Sequence, residues 1–198
     1  MFFRTKFILA SSSQSRYDLL KKNKLFFISV NPICDEGIIK KKLLKKKYSP
    51  RLISLELART KARSVGLNKI NKLVVGSDTI ISIRGSILDK AKNIGEAKKT
   101  LLQISNKKHM IYSSASAYYN KKEIWSDTQK TIVKIRKISQ KEADLYLKNV
   151  GKKILNSVGC YQLEKEGPTI IENINGDFFN VMGFPLFPFL VFLKKFNI

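Results

Sequence analysis

Apolar residues fall along this chain in two kinds of block, short runs of period two and one-sided stripes of period 3.6, and the two kinds alternate. Phe7 to Ala10 and Leu25 to Val30 read as strands on either side of a helix over roughly Ser13 to Lys22, a βαβ-like opening. Ser49 as N-cap, Pro50 at the first helical position and Gly66 at the end mark a second helix, with Leu55, Ala58, Ala62 and Val65 on one face. Leu73 to Val75 predicts an apolar strand and Ile80 to Ile83 its continuation, with Asp78 where the strand bends and a turn at Arg84-Gly85-Ser86. A helix starts near Asn93 with Glu96 closing a capping box, and Ser139 with Glu142 makes a second box that opens a helix through about Lys148. Ile111 to Tyr119 and Thr131 to Ile135 alternate as half-buried strands. Thr169 to Ile174 is a further strand, Asn175-Gly176-Asp177 a turn, and Pro185 onwards a helix. With no internal repeat or linker, the pattern predicts one mixed α/β domain over residues 1–198, as a single unit or as two lobes around a cleft.

Composition adjusts this picture at three points. The 198 residues are 43% hydrophobic, enough to bury a full core. The formal charge of +23, from 38 basic and 15 acidic residues, favours association with nucleotides or other polyanions. Its lysines are dispersed, however, and the densest group, Lys40 to Lys47, lacks the aromatic interleaving of a single-strand binder. A basic nucleic-acid-binding or cell-division regulatory protein without catalysis is therefore the alternative class, and no helix-turn-helix, RRM or zinc pattern supports it. Cys34 and Cys160 form no CxxC pair and no disulfide framework, which fits a reducing compartment. Phe7 to Ala10 is too short for the core of a signal peptide. Phe184 to Leu193 is about half the length needed to cross a bilayer and contains Pro185 and Pro188, so it reads as a buried closing helix. A cytoplasmic protein with no membrane partner is expected.

Two stretches carry the chemistry. In Ile8-Leu9-Ala10-Ser11-Ser12-Ser13-Gln14-Ser15-Arg16 an apolar strand gives way to serines and then to a helix start, so backbone amides face an anion and Arg16 adds a full charge. In Leu73-Val74-Val75-Gly76-Ser77-Asp78-Thr79 a single carboxylate stands at a strand end. Phosphate on one side and a carboxylate-bound cation on the other are the minimum for metal-assisted phosphate chemistry. The competing readings are plain: Asp78 as a turn residue, Glu36 before Gly37 in a solvated loop, and Lys61 and Lys90 as two lysines among many. His109, the one histidine, excludes a multi-histidine metal site and reads as structural.

In this order the blocks resemble the Maf family of nucleoside triphosphate pyrophosphatases over nearly the whole chain. Leu9 to Leu20 is similar to the family's L-A-S-x-S-P-x-R-x-x-L-L, Asp35-Glu36 to its acidic pair, and Leu57 to Ala62 to L-A-x-x-K-A. Gly76-Ser77-Asp78-Thr79 matches [AS]-D-T/Q, Ile87 to Lys90 resembles L-G-K-P, Gly159-Cys160-Tyr161 resembles G-A-Y, and Ile174 to Leu186 matches I-x-G-x-x-x-x-V-x-G-L-P-L. Gln14 stands where the family has proline, Asp89-Lys90-Ala91 replaces G-K-P, and Asn106 replaces a turn glycine. The resemblance implies a Maf/ITPase-like fold and hydrolysis of a nucleoside triphosphate, including noncanonical ones, to monophosphate and pyrophosphate. It implies Asp78 as proton acceptor and Lys61 and Lys90 as catalytic cations. Ser11, Ser13, Ser15, Arg16, Thr79 and Glu164 would bind substrate, and Glu36 with Asp78 would hold a divalent cation, Mg²⁺ by its taste for hard oxygen ligands. At the positions the family uses for base choice, Thr79 resembles the dTTP/UTP subgroup and Glu164 the 7-methyl-GTP subgroup, so base preference stays open, as does a homodimer.

Overall fold

A computed structural model describes residues 5–196. The strands are β1 (Phe7–Ala10), β2 (Phe27–Val30), β3 (Leu73–Ile83), β4 (Ser86–Leu88), β5 (Lys108–Tyr119), β6 (Lys122–Ile135) and β7 (Ile171–Asn175). The α-helices among the described residues are α1 (Gln14–Lys22), α2 (Glu36–Lys45), α3 (Pro50–Gly66), α4 (Ile94–Ile104), α5 (Gln140–Val150), α6 (Phe178–Val181) and α7 (Leu186–Lys195). One mixed seven-stranded sheet runs β2-β1-β3-β5-β6-β7, with β4 paired to β3 off that path. β1 is parallel to β2 and β3, whereas β4 is antiparallel to β3 and β7 to β6. The chain divides into two compact units, one of residues 1–79, 112–129 and 183–198, the other of 80–111 and 130–182.

In the first unit the sequence signals act as written. Ser13 caps α1 by accepting from Arg16 N, and Ser49 caps α3 by accepting from Leu52 N, with Pro50 at the helix start. β1 is buried on both faces, the mark of an inner parallel strand. Ile8, Ala10, Val65 and Val74 form a core between α3 and the sheet. α7 closes the unit through Phe189, whose ring lies 5.2 Å from both Phe7 and Phe184 and 5.8 Å from Trp125. Its other face leaves Phe187 and Val191 exposed, so it is only half the buried helix that its composition predicts.

Other expectations change, among them the strand expected from Thr169, which begins at Ile171 after a 3₁₀ turn over Gly167–Thr169. β2 begins at Phe27 rather than Leu25, because Lys24 takes a left-handed φ of 57° and Leu25 N reaches back to Leu20 O to finish α1. Residues 36–45, expected as loop and lysine cluster, form α2, capped by Asp35 onto Ile38 N. No residue of α2 is buried, so no apolar stripe announces it. β3 does not bend at Asp78: it is one eleven-residue strand with Asp78 in its middle, and Ser77, Asp78 and Thr79 are satisfied by side chains and carbonyls around them. β6 starts at Lys122, nine residues early, because Asn120 and Lys121 both take positive φ and make a tight two-residue hairpin with β5.

The second unit has its own core, built on Leu101, Ile104, Ile111, Val133, Ile135 and Leu147. Both halves of the Ser139–Glu142 capping box are present. At α4 only one is, since Glu96 turns to Lys92 N instead of to the cap residue. No helix among the described residues is long and apolar enough to cross a membrane.

Candidate active site

The first unit gathers most of the candidate residues around β3. Asp78 projects from its centre, Lys61 from the fourth turn of α3, and Glu36 from the first turn of α2. Lys61 Nζ lies 2.7 Å from Asp78 Oδ1 and 2.8 Å from Glu36 Oε2, so one ammonium bridges two carboxylates. The lysine and aspartate side chains are 6% and 9% exposed, while Glu36 is 46% exposed and faces solvent on one side. Such a buried cation is tolerated only because both acids compensate it.

α3 reaches Asp78 in two ways. Ser54, two turns before Lys61 on the same face, places its hydroxyl 3.1 Å from Asp78 O, 3.0 Å from Tyr112 O and 2.9 Å from Ser114 Oγ. Its one proton can be donated to only one of these three acceptors at a time. Gly76 makes the approach of the helix feasible: a Cβ there would lie 2.3 Å from Ala58 O and 2.4 Å from Ala62 N.

Arg16, in the first turn of α1, is buried. Its Nε donates to Gly183 O at 2.7 Å, Nη1 to Ser11 Oγ at 3.2 Å and Nη2 to Thr79 Oγ1 at 2.9 Å. These three bonds leave two of the five guanidinium N–H groups for a ligand. Burial pulls the guanidinium below its ordinary pKa, while the negative fields of Asp78 and then Glu36 act in the opposite sense. Thr79 Oγ1 also lies 3.0 Å from Ser113 Oγ and 3.3 Å from Gly183 O. Gly183 adopts φ +99°, a left-handed conformation that favours glycine. Ser11 Oγ accepts from Ser13 N and Arg16, so it organises the turn after β1. Ser15 is half-buried in the first turn of α1. Cys34, a free thiol, is pushed up by partial burial and then by the Glu36 carboxylate, which keeps it a thiol.

Lys90 and Glu164 belong to the second unit, Lys90 exposed just after β4 and Glu164 half-buried in the segment after Tyr161. His109 is in that unit's core, its Nε2 2.6 Å from Tyr161 Oη, and burial holds its pKa down to about 4. Ser54, Ser77, Ser113 and Gly183 hold the site together; Ser77 and Gly183 lie inside blocks the sequence already marks, whereas nothing in the sequence singles out Ser54 and Ser113. Serine inside a helix or strand carries no local signal of the carbonyl it will meet.

Among the described residues no group of three or more His, Cys, Asp and Glu is suited to hold a metal. Two convergent carboxylates do suit Mg²⁺, which usually takes one or two carboxylates and completes its shell with water and phosphate oxygens. That the pair already attracts a buried ammonium shows that it favours a cation.

A family model described as Maf-like protein matches residues 6–196. The chain belongs to the Maf-like family. It is 38% identical over 191 residues to a 7-methyl-GTP pyrophosphatase of Bartonella henselae, covering 96% of each chain. It is 34% identical over 190 residues to a nucleoside triphosphate pyrophosphatase of Caulobacter vibrioides, covering 96% of this chain and 95% of the relative. A 7-methyl-GTP pyrophosphatase of Rhizobium meliloti is 34% identical over 188 residues, with 95% and 94% covered. The Maf-like match spans both units, so the order of blocks read from the sequence corresponds to one family from end to end.

Proposed function

We propose that this chain is a nucleoside triphosphate pyrophosphatase that cleaves between the α and β phosphates and releases a monophosphate and pyrophosphate. The observation that carries the reading is the Glu36–Lys61–Asp78 cluster, buried on one side and open at Glu36, inside a Maf-like chain whose relatives bear pyrophosphatase names. Asp78 takes the proton of the attacking water, held rigid by the anchoring of its own backbone and carboxylate to α3. Lys61 meets phosphate oxygens as a point charge, and Arg16 offers its two free N–H groups from a guanidinium fixed on three sides. Ser11 and Ser13 shape the turn whose amides precede α1, a helix start that favours anions. Lys90 acts as a further phosphate cation, and Ser15, Thr79 and Glu164 take part in base choice. Glu36 and Asp78 would hold a divalent ion, Mg²⁺ by chemistry, whose role is to neutralise charge that develops on the phosphates.

Thr79 is committed to Arg16, Ser113 and Gly183, so any influence it has on the base passes through the placement of Arg16. The test is a panel of triphosphates, with 7-methyl-GTP, dTTP and UTP included, incubated with Mg²⁺ and resolved for monophosphate and pyrophosphate. Turnover of at least one member, lost in Asp78→Ala, is expected; no release above that variant refutes the proposal. In the same panel, Ser15→Arg with Glu164→Gln should move preference towards pyrimidines, and an unchanged profile would remove both residues from base choice.

A further inference from the structure

Lys61 occupies an unusual place for a phosphate-binding lysine. Its ammonium is turned away from solvent and spent on Asp78 Oδ1 and Glu36 Oε2, the two acids that would hold the divalent ion. Arg16 does not share this duty in the structure: three of its donors go to Gly183, Ser11 and Thr79 and it makes no hydrogen bond to either carboxylate. Nor can Lys61 drift away easily, since α3 is seated on β3 at Gly76 and pinned to Asp78 O by Ser54. A dication coordinated by both acids would sit a few ångströms from this ammonium in a half-buried site, where like charges repel far more than in water.

We propose that Lys61 is an internal counter-ion: it neutralises the Glu36–Asp78 pair in the nucleotide-free protein and opposes binding of a divalent ion alone. Release comes when a triphosphate supplies new anionic partners for the ammonium. The ion and the nucleotide then bind with positive coupling, and the ion enters with its triphosphate. A structural salt bridge between α2, α3 and β3 predicts no such coupling. The inference rests on the proposed function, and the two fail separately.

The test is binding of Mn²⁺ without nucleotide, read from the electron paramagnetic resonance signal of the free ion. It compares wild type, Lys61→Met, Lys61→Gln and Lys61→Met with Glu36→Gln, each first shown to be folded by a melting curve. Both single variants should bind one Mn²⁺ about tenfold or more tighter than wild type, since a competing charge is gone, and the added Glu36→Gln change should cancel the gain. Equal or weaker binding in both single variants overturns the inference. The wild type gives an arm that needs no variant. Mn²⁺ alone should leave its melting temperature unchanged, and Mn²⁺ with a triphosphate bearing a methylene between the α and β phosphorus atoms should raise it. A rise of equal size with Mn²⁺ alone overturns the inference. Hydrolysis by a wild type that shows neither effect leaves the pyrophosphatase reading in place without the counter-ion, whereas lack of hydrolysis together with tighter Mn²⁺ binding in the variants does the reverse.

Discussion

Replacing Gly76 with alanine tests whether close packing of α3 on β3 sets the geometry of the site. The position asks for no left-handed backbone, so the effect is purely one of space. The new methyl would lie 2.3 Å from Ala58 O, 2.4 Å from Ala62 N and 3.0 Å from Ala62 Cα, all backbone atoms that no side-chain rotation can move aside. Restoring ordinary contact at about 3.5 Å requires the helix to retreat by about 1 Å. Lys61, one residue before Ala62, would move with it and stretch its 2.7 Å bond to Asp78 out of hydrogen-bond range. Overpacking of this kind costs about 1–3 kcal/mol, and the backbone identity of the neighbours puts Gly76→Ala at the upper end. A misplacement of about 1 Å in a catalytic group lowers turnover by about a hundredfold. Urea denaturation reads the first effect, through a lower midpoint at unchanged slope. Initial rates of pyrophosphate release read the second. A variant within about 0.5 kcal/mol of wild type that keeps at least half its rate would refute the claim that this contact positions Lys61.

Other consequences are read more quickly. His109 is neutral and buried at a pKa of about 4 but returns to about 6.5 when unfolded, so protonation favours the unfolded chain and stability falls as pH drops from about 6.5 towards 4. Between pH 7.5 and 4.5 this one group removes about 2–3 kcal/mol. His109→Gln should lose correspondingly less over that interval in denaturant titrations, and an identical pH slope would contradict the assignment. Ser54→Ala withdraws a donor from Asp78 O and Tyr112 O and should cost about 1–3 kcal/mol with a lower kcat, measured by melting and steady-state rates. Arg16→Lys keeps the charge but cannot reproduce three directed bonds to Gly183, Ser11 and Thr79, so both stability and kcat/KM should fall; full activity would show that only the charge matters.

The sequence shows most of the frame because capping residues and apolar periodicity are local. Ser49 and Pro50 start α3, and Ser139 with Glu142 starts α5, where the pattern places them. α2 is hidden because its six following or included lysines and exposed Ile38 and Leu44 form no buried stripe, and only the Asp35 cap marks its start. Asp78 looks like a bend because Gly76-Ser77-Asp78-Thr79 interrupts an apolar run. The strand continues through it because Ser54, Lys61, Arg16 and Gly183, remote in sequence, satisfy those polar groups. Candidate acids and cations are visible as residue types in order, but the sharing of Lys61 between Glu36 and Asp78 depends on three elements meeting in space. No single stretch of sequence encodes that meeting.

The most direct measurement of the central claim is product analysis with Mg²⁺ and the preferred triphosphate, comparing wild type with Asp78→Asn and Lys61→Met. Equal amounts of monophosphate and pyrophosphate are predicted from the wild type. Each variant should be slower by about two to three orders of magnitude, the loss of about 2.7–4 kcal/mol typical of one preorganised polar group. Orthophosphate as the product, or wild-type rates in both variants, would contradict it.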